Sequence, residues 1–148
     1  MGKKKIVQFV GDRGTGVGSR IKGFRKYGGK WLEVLRSYQN IVCITNEHNT
    51  SQLCIYCFEK LCHPRSSNKR MTKGALQCVN PACVSVKAGK AVKSRDALSS
   101  LAIGFSGLCH CLLGVTMPHF SPYKISQFDT DNFKNISLAF VKEERDRQ

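Results

Sequence analysis

The chain has 148 residues and a mass of 16.5 kDa, which is the size of one domain or of one domain with a small insertion. It is 41% hydrophobic and 23% charged, so a compositionally disordered chain is excluded. The 24 Lys and Arg residues outnumber the 10 Asp and Glu residues and give a formal net charge of +14. The expected partner is therefore a polyanion, nucleic acid first and an acidic membrane surface second.

The N-terminal third predicts a strand, a helix and a second strand. Residues 5–10 (KIVQFV) form a short apolar run that leads into a glycine-rich turn, residues 30–38 have helical spacing, and residues 40–45 (NIVCIT) are apolar and β-branched. This order is typical of a parallel α/β unit. The glycine-rich turn lacks the Lys-Ser/Thr pair of a phosphate-binding loop, because Val17 and Gly18 stand there. It is either a basic loop that lies against phosphates or a plain connection.

The basic residues fall into two blocks. Residues 1–36 contain ten Lys or Arg, and residues 60–95 contain nine with no acid among them. Two such blocks beside a neutral remainder predict a charged face, the alternative being scattered solvated side chains. The candidate nucleic-acid-binding residues are Arg13, Arg20, Lys22, Arg25, Lys26, Lys69, Arg70 and Lys73.

Two close cysteine pairs predict a metal centre. The first spans residues 54–57, the second spans residues 78–83, and twenty residues separate them. The apolar run at the N-terminus is far too short for a signal peptide, so we expect reduced thiols inside the cell, and this spacing then favours a structural Zn(Cys)4 site. The predicted ligands are Cys54, Cys57, Cys78 and Cys83.

Other cysteines leave alternatives open. Chance pairing of cysteines would also produce the spacing, and Cys62 or His63 could replace one ligand. Cys43, Cys109 and Cys111 stand in apolar elements and are interpreted as core residues.

A long helix and a tail follow the cysteine module. Residues 97–117 are uncharged and about long enough to cross a bilayer. Interspersed Ser, His and Gly favour a buried amphipathic helix instead, so no membrane is expected. Its predicted buried face consists of Leu98, Leu101, Ala102, Phe105, Leu108, Cys109 and Leu112. Residues 118–148 are rich in Ser, Pro, Asn and Asp, which predicts a poorly ordered tail.

Three motifs in this order carry a family resemblance. They are TSQLCxxC at residues 50–57, CxNPxC at 78–83 and SRDAL at 94–98. Together they resemble the C-terminal part of the TnpB/Fanzor group of transposon-encoded RNA-guided nucleases. The strand end at residues 9–12, the basic glycine-rich stretch and the residues 46–48 (NEH) resemble the eukaryotic Fanzor-like version of that group. In that group a zinc ribbon, the target-nucleic-acid-binding module, interrupts a RuvC (RNase H-like) domain. The resemblance covers roughly residues 5–113, and the sequence departs from it in the wider second spacing and in the basic insertion at 58–77.

The resemblance implies an α/β fold with a partial RuvC-like unit over residues 1–49, a zinc ribbon over 50–92, a RuvC-like helix over 93–117 and the tail over 118–148. It implies that Asp96 is the family's last catalytic carboxylate and that Glu47 is a second one, and that both could hold Mg²⁺. Without the resemblance, Asp96 could simply cap its helix, and Glu47 follows an apolar strand.

The implied function is that of a DNA-binding zinc-ribbon fragment of such an endonuclease, a transposase-like protein for which guide RNA is a further partner. The family's first aspartate lies upstream of the matched segment, so we expect a catalytically incomplete nuclease remnant without a small-molecule substrate. The alternatives are a zinc-ribbon adaptor that binds another protein, or a nuclease part completed by a second chain. The expected location is intracellular, and nuclear in a eukaryote.

Overall fold

A computed structural model describes residues 6–12, 41–65 and 72–147. The helix predicted for residues 30–38 and most of the basic glycine-rich turn lie outside these residues. The described elements, in chain order, are β1 (Val7–Gly11), β2 (Ile41–Thr45), β3 (Ala75–Gln77), α1 (Val84–Lys87), β4 (Val92–Ser94), α2 (Arg95–Leu113), a 3₁₀ helix (Pro118–Phe120) and α3 (Gln127–Asp146).

The strands form two small sheets, and the predicted mixed α/β class is confirmed. β1 pairs with β2 in parallel, with Val7 opposite Ile41 and Gly11 opposite Thr45. β3 pairs with β4 in an antiparallel ribbon, with Ala75 opposite Ser94. Within the described ranges each sheet has two strands.

Helix α2 packs directly on β1 and β2. Gly107 allows the close approach, because a Cβ atom at this position would overlap the Phe9 ring and the Thr45 hydroxyl. The helix ends where Gly114 takes a left-handed conformation (φ 67°) and donates its backbone N–H to the His110 carbonyl oxygen at 3.0 Å, as glycine commonly does at helix C-termini.

The buried face of α2 is narrower than its apolar periodicity predicts. Leu98 and Ala102 are buried and Cys109 is half-buried, as expected. The other four members of the predicted face are exposed, namely Leu101, Phe105, Leu108 and Leu112. Small side chains take the packed positions, including buried Ser106 and Gly107, because the helix lies so close to the sheet.

Helix α2 is also long and apolar enough to span a membrane, judged by length and composition alone. In the part of the chain that the structure describes, it is the one helix with this property, and 22% of its most apolar window is buried. Core helices of water-soluble proteins satisfy the same test. The expectation that no membrane is involved stays a prediction.

The segment after Pro118 is folded, which corrects the expectation of a poorly ordered tail. Helix α3 begins with a capping box in which the Ser126 hydroxyl accepts the Asp129 N–H and the Asp129 carboxylate accepts the Ser126 N–H. The Ser126 hydroxyl also donates to the Asp129 carboxylate at 2.6 Å, and this bond, together with the one from the Ser126 N–H, holds the pKa of Asp129 below its usual value. Buried Met117 and Phe120 join Ala102 of α2 in one core, against which Phe133 of α3 packs. Local capping and this contact outweigh the polar composition of the segment.

Candidate metal centre and neighbouring carboxylates

The first cysteine pair lies in a tight reversal of the chain. The Phe58 N–H donates to the Cys54 carbonyl oxygen at 2.7 Å, and the Cys54 N–H donates to the Glu59 carbonyl oxygen at 2.9 Å. Phe58 has a φ of 60°, a left-handed conformation that is costly for a bulky residue. The reversal turns the thiols of Cys54 and Cys57 toward the same point.

The second cysteine pair is held by Asn80 and by the start of α1. The Asn80 side-chain oxygen accepts the Ala82 N–H at 2.9 Å, and its carbonyl oxygen accepts the Cys83 N–H at 3.1 Å. An asparagine that bonds to the backbone two residues onward is a standard turn former. The Cys78 N–H is bound by the Ala91 carbonyl oxygen at 3.0 Å, so the second pair is fixed at both ends.

The four sulfur atoms form one cluster. All of them lie within 4.8 Å of one another, with 3.9 Å between the Sγ atoms of Cys54 and Cys83 and 3.6 Å between those of Cys57 and Cys78. Zinc–sulfur bonds of about 2.3 Å in a tetrahedron require sulfur atoms about 3.8 Å apart. Three of the four residues are buried, and all four are free thiols. The cluster therefore fits a metal such as zinc.

Three of the cluster thiols, those of Cys54, Cys78 and Cys83, have unequal affinities for protons. Burial raises the pKa of the Cys54 thiol and raises that of the Cys78 thiol to about 12. Burial also acts to raise the pKa of the Cys83 thiol. Hydrogen bonds from the backbone N–H groups of Ser85 and Val86 in α1, and then the neighbouring cysteines, outweigh this effect and lower the pKa to about 7. Cys83 is accordingly the readiest of these three to bind a cation as a thiolate, and metal binding would displace the remaining protons.

The structure separates the two alternative ligands from the cluster. The Cys62 S–H points at the Gln77 carbonyl oxygen at 3.5 Å. The Nδ1 atom of His63 lies 3.0 Å from the Ala75 carbonyl oxygen. Both side chains are thus engaged along β3, and the four-sulfur set forms without them.

Glu47 lies in the loop after β2, and its side chain lies so close to Gly11 that a Cβ atom there would overlap it. Its backbone N–H donates to Asp12 Oδ1 at 3.1 Å. The loop is tied to α2 because the Thr50 hydroxyl donates to the Glu47 carbonyl oxygen and forms a 3.0 Å hydrogen bond with the Ser99 hydroxyl. Ser99 is one helical turn beyond Asp96 on α2.

Asp96 lies in the first turn of α2, where its side chain is 84% exposed and contacts the Arg95 guanidinium at 3.2 Å. The carboxylates thus belong to segments that touch through Thr50 and Ser99. However, the four cysteines are the one set of three or more His, Cys, Asp or Glu residues with converging ligand atoms anywhere in residues 6–12, 41–65 and 72–147. The described residues provide no comparable cluster for Mg²⁺.

The predicted nucleic-acid contacts lie mostly beyond the described residues. Lys73 is exposed on the turn before β3. The remaining seven predicted contacts lie outside the described ranges, namely Arg13, Arg20, Lys22, Arg25, Lys26, Lys69 and Arg70.

The structure adds one basic and aromatic pair that the sequence did not indicate. The Lys93 ammonium lies 5.2 Å above the centre of the Tyr56 ring, and Tyr56 is 44% exposed. Phe58, the second aromatic residue near the first cysteine pair, instead stacks on His119 with ring centres 4.2 Å apart. Tyr56 and Lys93 are 37 positions apart in the chain, so no local spacing signals their contact.

No family model matches the chain, and no curated protein matches it.

Proposed function

We propose that the chain is a zinc-ribbon protein that binds nucleic acid, DNA first, through the basic surface around its metal centre. The observation that carries this proposal is the four-sulfur cluster, two of whose cysteines come from a segment, residues 60–95, that has nine basic residues and no acid. A closed set of four thiolates leaves no open position for water, so the metal would be structural. It would shape a surface rather than perform chemistry.

The charge balance around the metal favours a polyanion. Zinc with four thiolates carries a net charge of about −2, which the nine basic residues of this segment exceed severalfold. Among the described residues of this segment, the exposed basic side chains are Lys60, Arg65, Lys73, Lys87, Lys90 and Arg95. Such side chains bind phosphates without reading sequence, so we expect sequence-tolerant, salt-dependent binding.

Tyr56 gives this surface a means to bind unpaired bases. Its ring is half-exposed beside the ammonium of Lys93, and base stacking on an aromatic ring next to a cation is common in single-strand binding. Phe58 is not available for this role because its ring is stacked on His119. We therefore expect Tyr56→Ala to weaken binding to single strands more than binding to duplexes.

The same proposal assigns the chain to the RuvC-like and zinc-ribbon part of a nuclease of the TnpB/Fanzor group. Its support is the motif order together with the parallel pair β1–β2 and helix α2 packed on that pair. In this interpretation Glu47 and Asp96 are remnants of a Mg²⁺ site, and the Thr50–Ser99 hydrogen bond joins the two segments that carry them. Guide RNA would be a further partner, and the location would be intracellular and nuclear in a eukaryote.

The test is binding of labelled DNA and RNA, single- and double-stranded, over a range of salt. Log affinity should fall linearly with log salt, by about 0.7–0.9 per phosphate contact. The double variant Lys87→Glu/Lys90→Glu should weaken binding at least about tenfold. Lys124→Glu/Lys142→Glu makes the same change of charge at exposed positions in the C-terminal segment and should weaken it far less. Equal losses in the two variants, or affinity independent of salt, would refute the proposal.

A protein-binding adaptor is the second candidate, and one observation favours it. Three exposed valines surround the second cysteine pair, Val79, Val84 and Val92, each at least half exposed. If this candidate is correct, the charge-reversal variants bind a protein partner normally, and nucleic acid competes for none of that binding.

A nuclease completed by a second chain is the third candidate. Two-metal hydrolysis needs several carboxylates that hold two cations about 4 Å apart, and within the described residues neither Glu47 nor Asp96 belongs to a set of three or more converging ligand residues. We expect no cleavage of DNA or RNA by this chain alone with Mg²⁺ or Mn²⁺. Metal-dependent cleavage that Asp96→Ala abolishes, with zinc content preserved, would show that expectation to be wrong.

A further inference from the structure

Two cysteines outside the metal cluster face each other across the packing of α2 on the sheet. The sulfur atom of Cys111, on α2, lies 3.9 Å from the sulfur atom of Cys43, on β2, although 68 positions separate the residues in the chain. The sequence led us to interpret both as core residues, but Cys111 is exposed and Cys43 is only half-buried. Their thiols are therefore within reach of solvent.

A cavity of about 170 Å³ lies beside the two sulfur atoms, and both cysteines line it. Thr45 lines it too, and its buried hydroxyl has no hydrogen-bond partner within the described ranges. A small polar molecule such as a peroxide fits this volume. The cavity also leaves room for the sulfur atoms to turn toward each other.

The geometry favours a bond between the sulfur atoms over a second metal site. A disulfide needs the sulfur atoms about 2.05 Å apart, so each would move by about 1 Å. A metal site would need further ligands, and within the described ranges Cys43 and Cys111 belong to no set of three or more converging ligand residues.

We propose that Cys43 and Cys111 are a redox-sensitive pair that a peroxide converts to a disulfide, which joins β2 covalently to α2. The exposed Cys111 thiolate attacks one oxygen of hydrogen peroxide, the O–O bond breaks, and the resulting hydroxide takes up a proton to leave as water. The Cys43 thiol then gives up its proton and attacks the sulfenic sulfur of Cys111, the S–O bond breaks, and the hydroxide takes up that proton and leaves as the second water. In sum, two thiols and one hydrogen peroxide give one disulfide and two waters.

The four cluster cysteines are protected from this reaction. Three of the four are buried, and in the holoprotein all four would be bound to zinc. Cys62 is exposed, but its S–H is directed at a backbone carbonyl oxygen on the ribbon rather than at a second thiol. The disulfide would close a loop that contains the whole ribbon, and closing so long a loop restricts the unfolded chain strongly. Oxidation should therefore stabilise the protein and restrain α2 against the sheet.

The experiment treats the zinc-loaded full chain with a small excess of hydrogen peroxide and follows intact mass, disulfide-linked peptides, zinc content and Tm. The wild type should lose about 2 Da, give a Cys43–Cys111 peptide, retain its zinc and gain at least about 5 °C in Tm. A thiol reductant should reverse all of these changes. Cys43→Ser and Cys111→Ser should show none of them.

Cys62→Ser and Cys109→Ser are the matched controls and should behave like the wild type. The proposal is wrong if the wild type gives no Cys43–Cys111 peptide under these conditions. It is equally wrong if Cys43→Ser gains stability as the wild type does, or if peroxide releases zinc before the pair is oxidised. None of these outcomes depends on nucleic-acid binding, so failure here leaves the proposed function untouched.

Discussion

Phe58 combines an unfavourable backbone conformation with a favourable contact. Its φ of 60° costs about 1–2 kcal/mol for a residue with a side chain. The ring stacks on His119 and lies edge-on to the buried Phe120 at 6.1 Å. These contacts connect the first cysteine pair to the core that α2 shares with Phe120. They explain why a bulky residue occupies a position that glycine would suit better.

The first prediction follows from this contact. We expect Phe58→Ala to lower the free energy of unfolding by about 2 kcal/mol, since the backbone strain remains and the aromatic packing is lost. Phe128→Ala is the matched control, because Phe128 is 77% exposed and should change stability by less than about 0.5 kcal/mol. Urea unfolding measures both, and equal losses would contradict the assignment of Phe58 to the core.

His119 gives the protein a dependence on pH. Burial lowers the pKa of His119 below its usual 6.5, and the nearby Lys134 ammonium lowers it further. The neutral ring is favoured in the folded state, whereas the unfolded chain takes up the proton near pH 6.5. Stability should therefore fall as the pH decreases through 6.5 and continue to fall until the lowered pKa is passed.

We expect the histidine NMR titration of His119 to have a midpoint below pH 6.5, and Lys134→Ala to move that midpoint upward. In urea unfolding at pH 7.5 and 5.5, the acid loss of stability should be smaller in His119→Phe than in the wild type. Protonation of the cluster thiols contributes equally to the stability of both proteins, so its contribution cancels in this comparison. A midpoint above 6.5 would reverse the sign and refute the assignment.

Two glycines of helix α2, Gly104 and Gly107, distinguish the effect of close packing on stability from the effect of helix propensity. Gly107 faces Phe9 and Thr45 without room for a Cβ atom, whereas Gly104 on the same helix has no neighbouring atom within 4 Å of its Cβ position. Alanine is favoured over glycine within a helix by about 1 kcal/mol. The two substitutions should therefore differ in sign.

We expect Gly107→Ala to destabilise the protein by about 2 kcal/mol, because α2 must move off the sheet. Gly104→Ala should stabilise it by about 0.5–1 kcal/mol. Thermal unfolding of the two variants beside the wild type checks this. Should Gly107→Ala be as stable as Gly104→Ala, the described packing of α2 on β1 would be wrong.

Strands and helices could be predicted from the sequence where a local pattern of residues specifies them. Strands β1 and β2 follow from short apolar, β-branched runs, and α2 follows from its length and spacing. Periodicity did not identify which side of α2 is packed, because a wide apolar stripe leaves several orientations open and Gly107 carries no hydrophobic signal. Helix α3 was missed because composition outweighed the Ser126–Asp129 cap, which the sequence does display.

At the scale of the whole molecule, the described residues have two small cores. One contains Ala102, Met117 and Phe120 and is apolar. The other consists of the four cluster cysteines with Leu61 and Val86 packed against them. The cysteine spacing was sufficient to predict that these four cysteines come together, whereas the Cys43–Cys111 and Tyr56–Lys93 contacts join distant positions and needed the fold. A core made mainly of cysteines has little apolar surface to stabilise it without a metal.

The last prediction concerns removal of that metal. We expect one zinc per chain, and we expect chelation to unfold the ribbon because metal binding supplies most of its folding free energy. Cys78→Ser should abolish stoichiometric zinc, while Cys62→Ser, also a cysteine of the ribbon but directed at a backbone carbonyl oxygen, should retain it. Elemental analysis after dialysis measures the zinc, and amide exchange locates the unfolding. Protection should fall first in residues 50–65 and 72–94 and persist longest in α2, whose core contains no ligand. Full zinc content in Cys78→Ser, or unchanged protection after chelation, would mean that the four sulfur atoms are not the metal site.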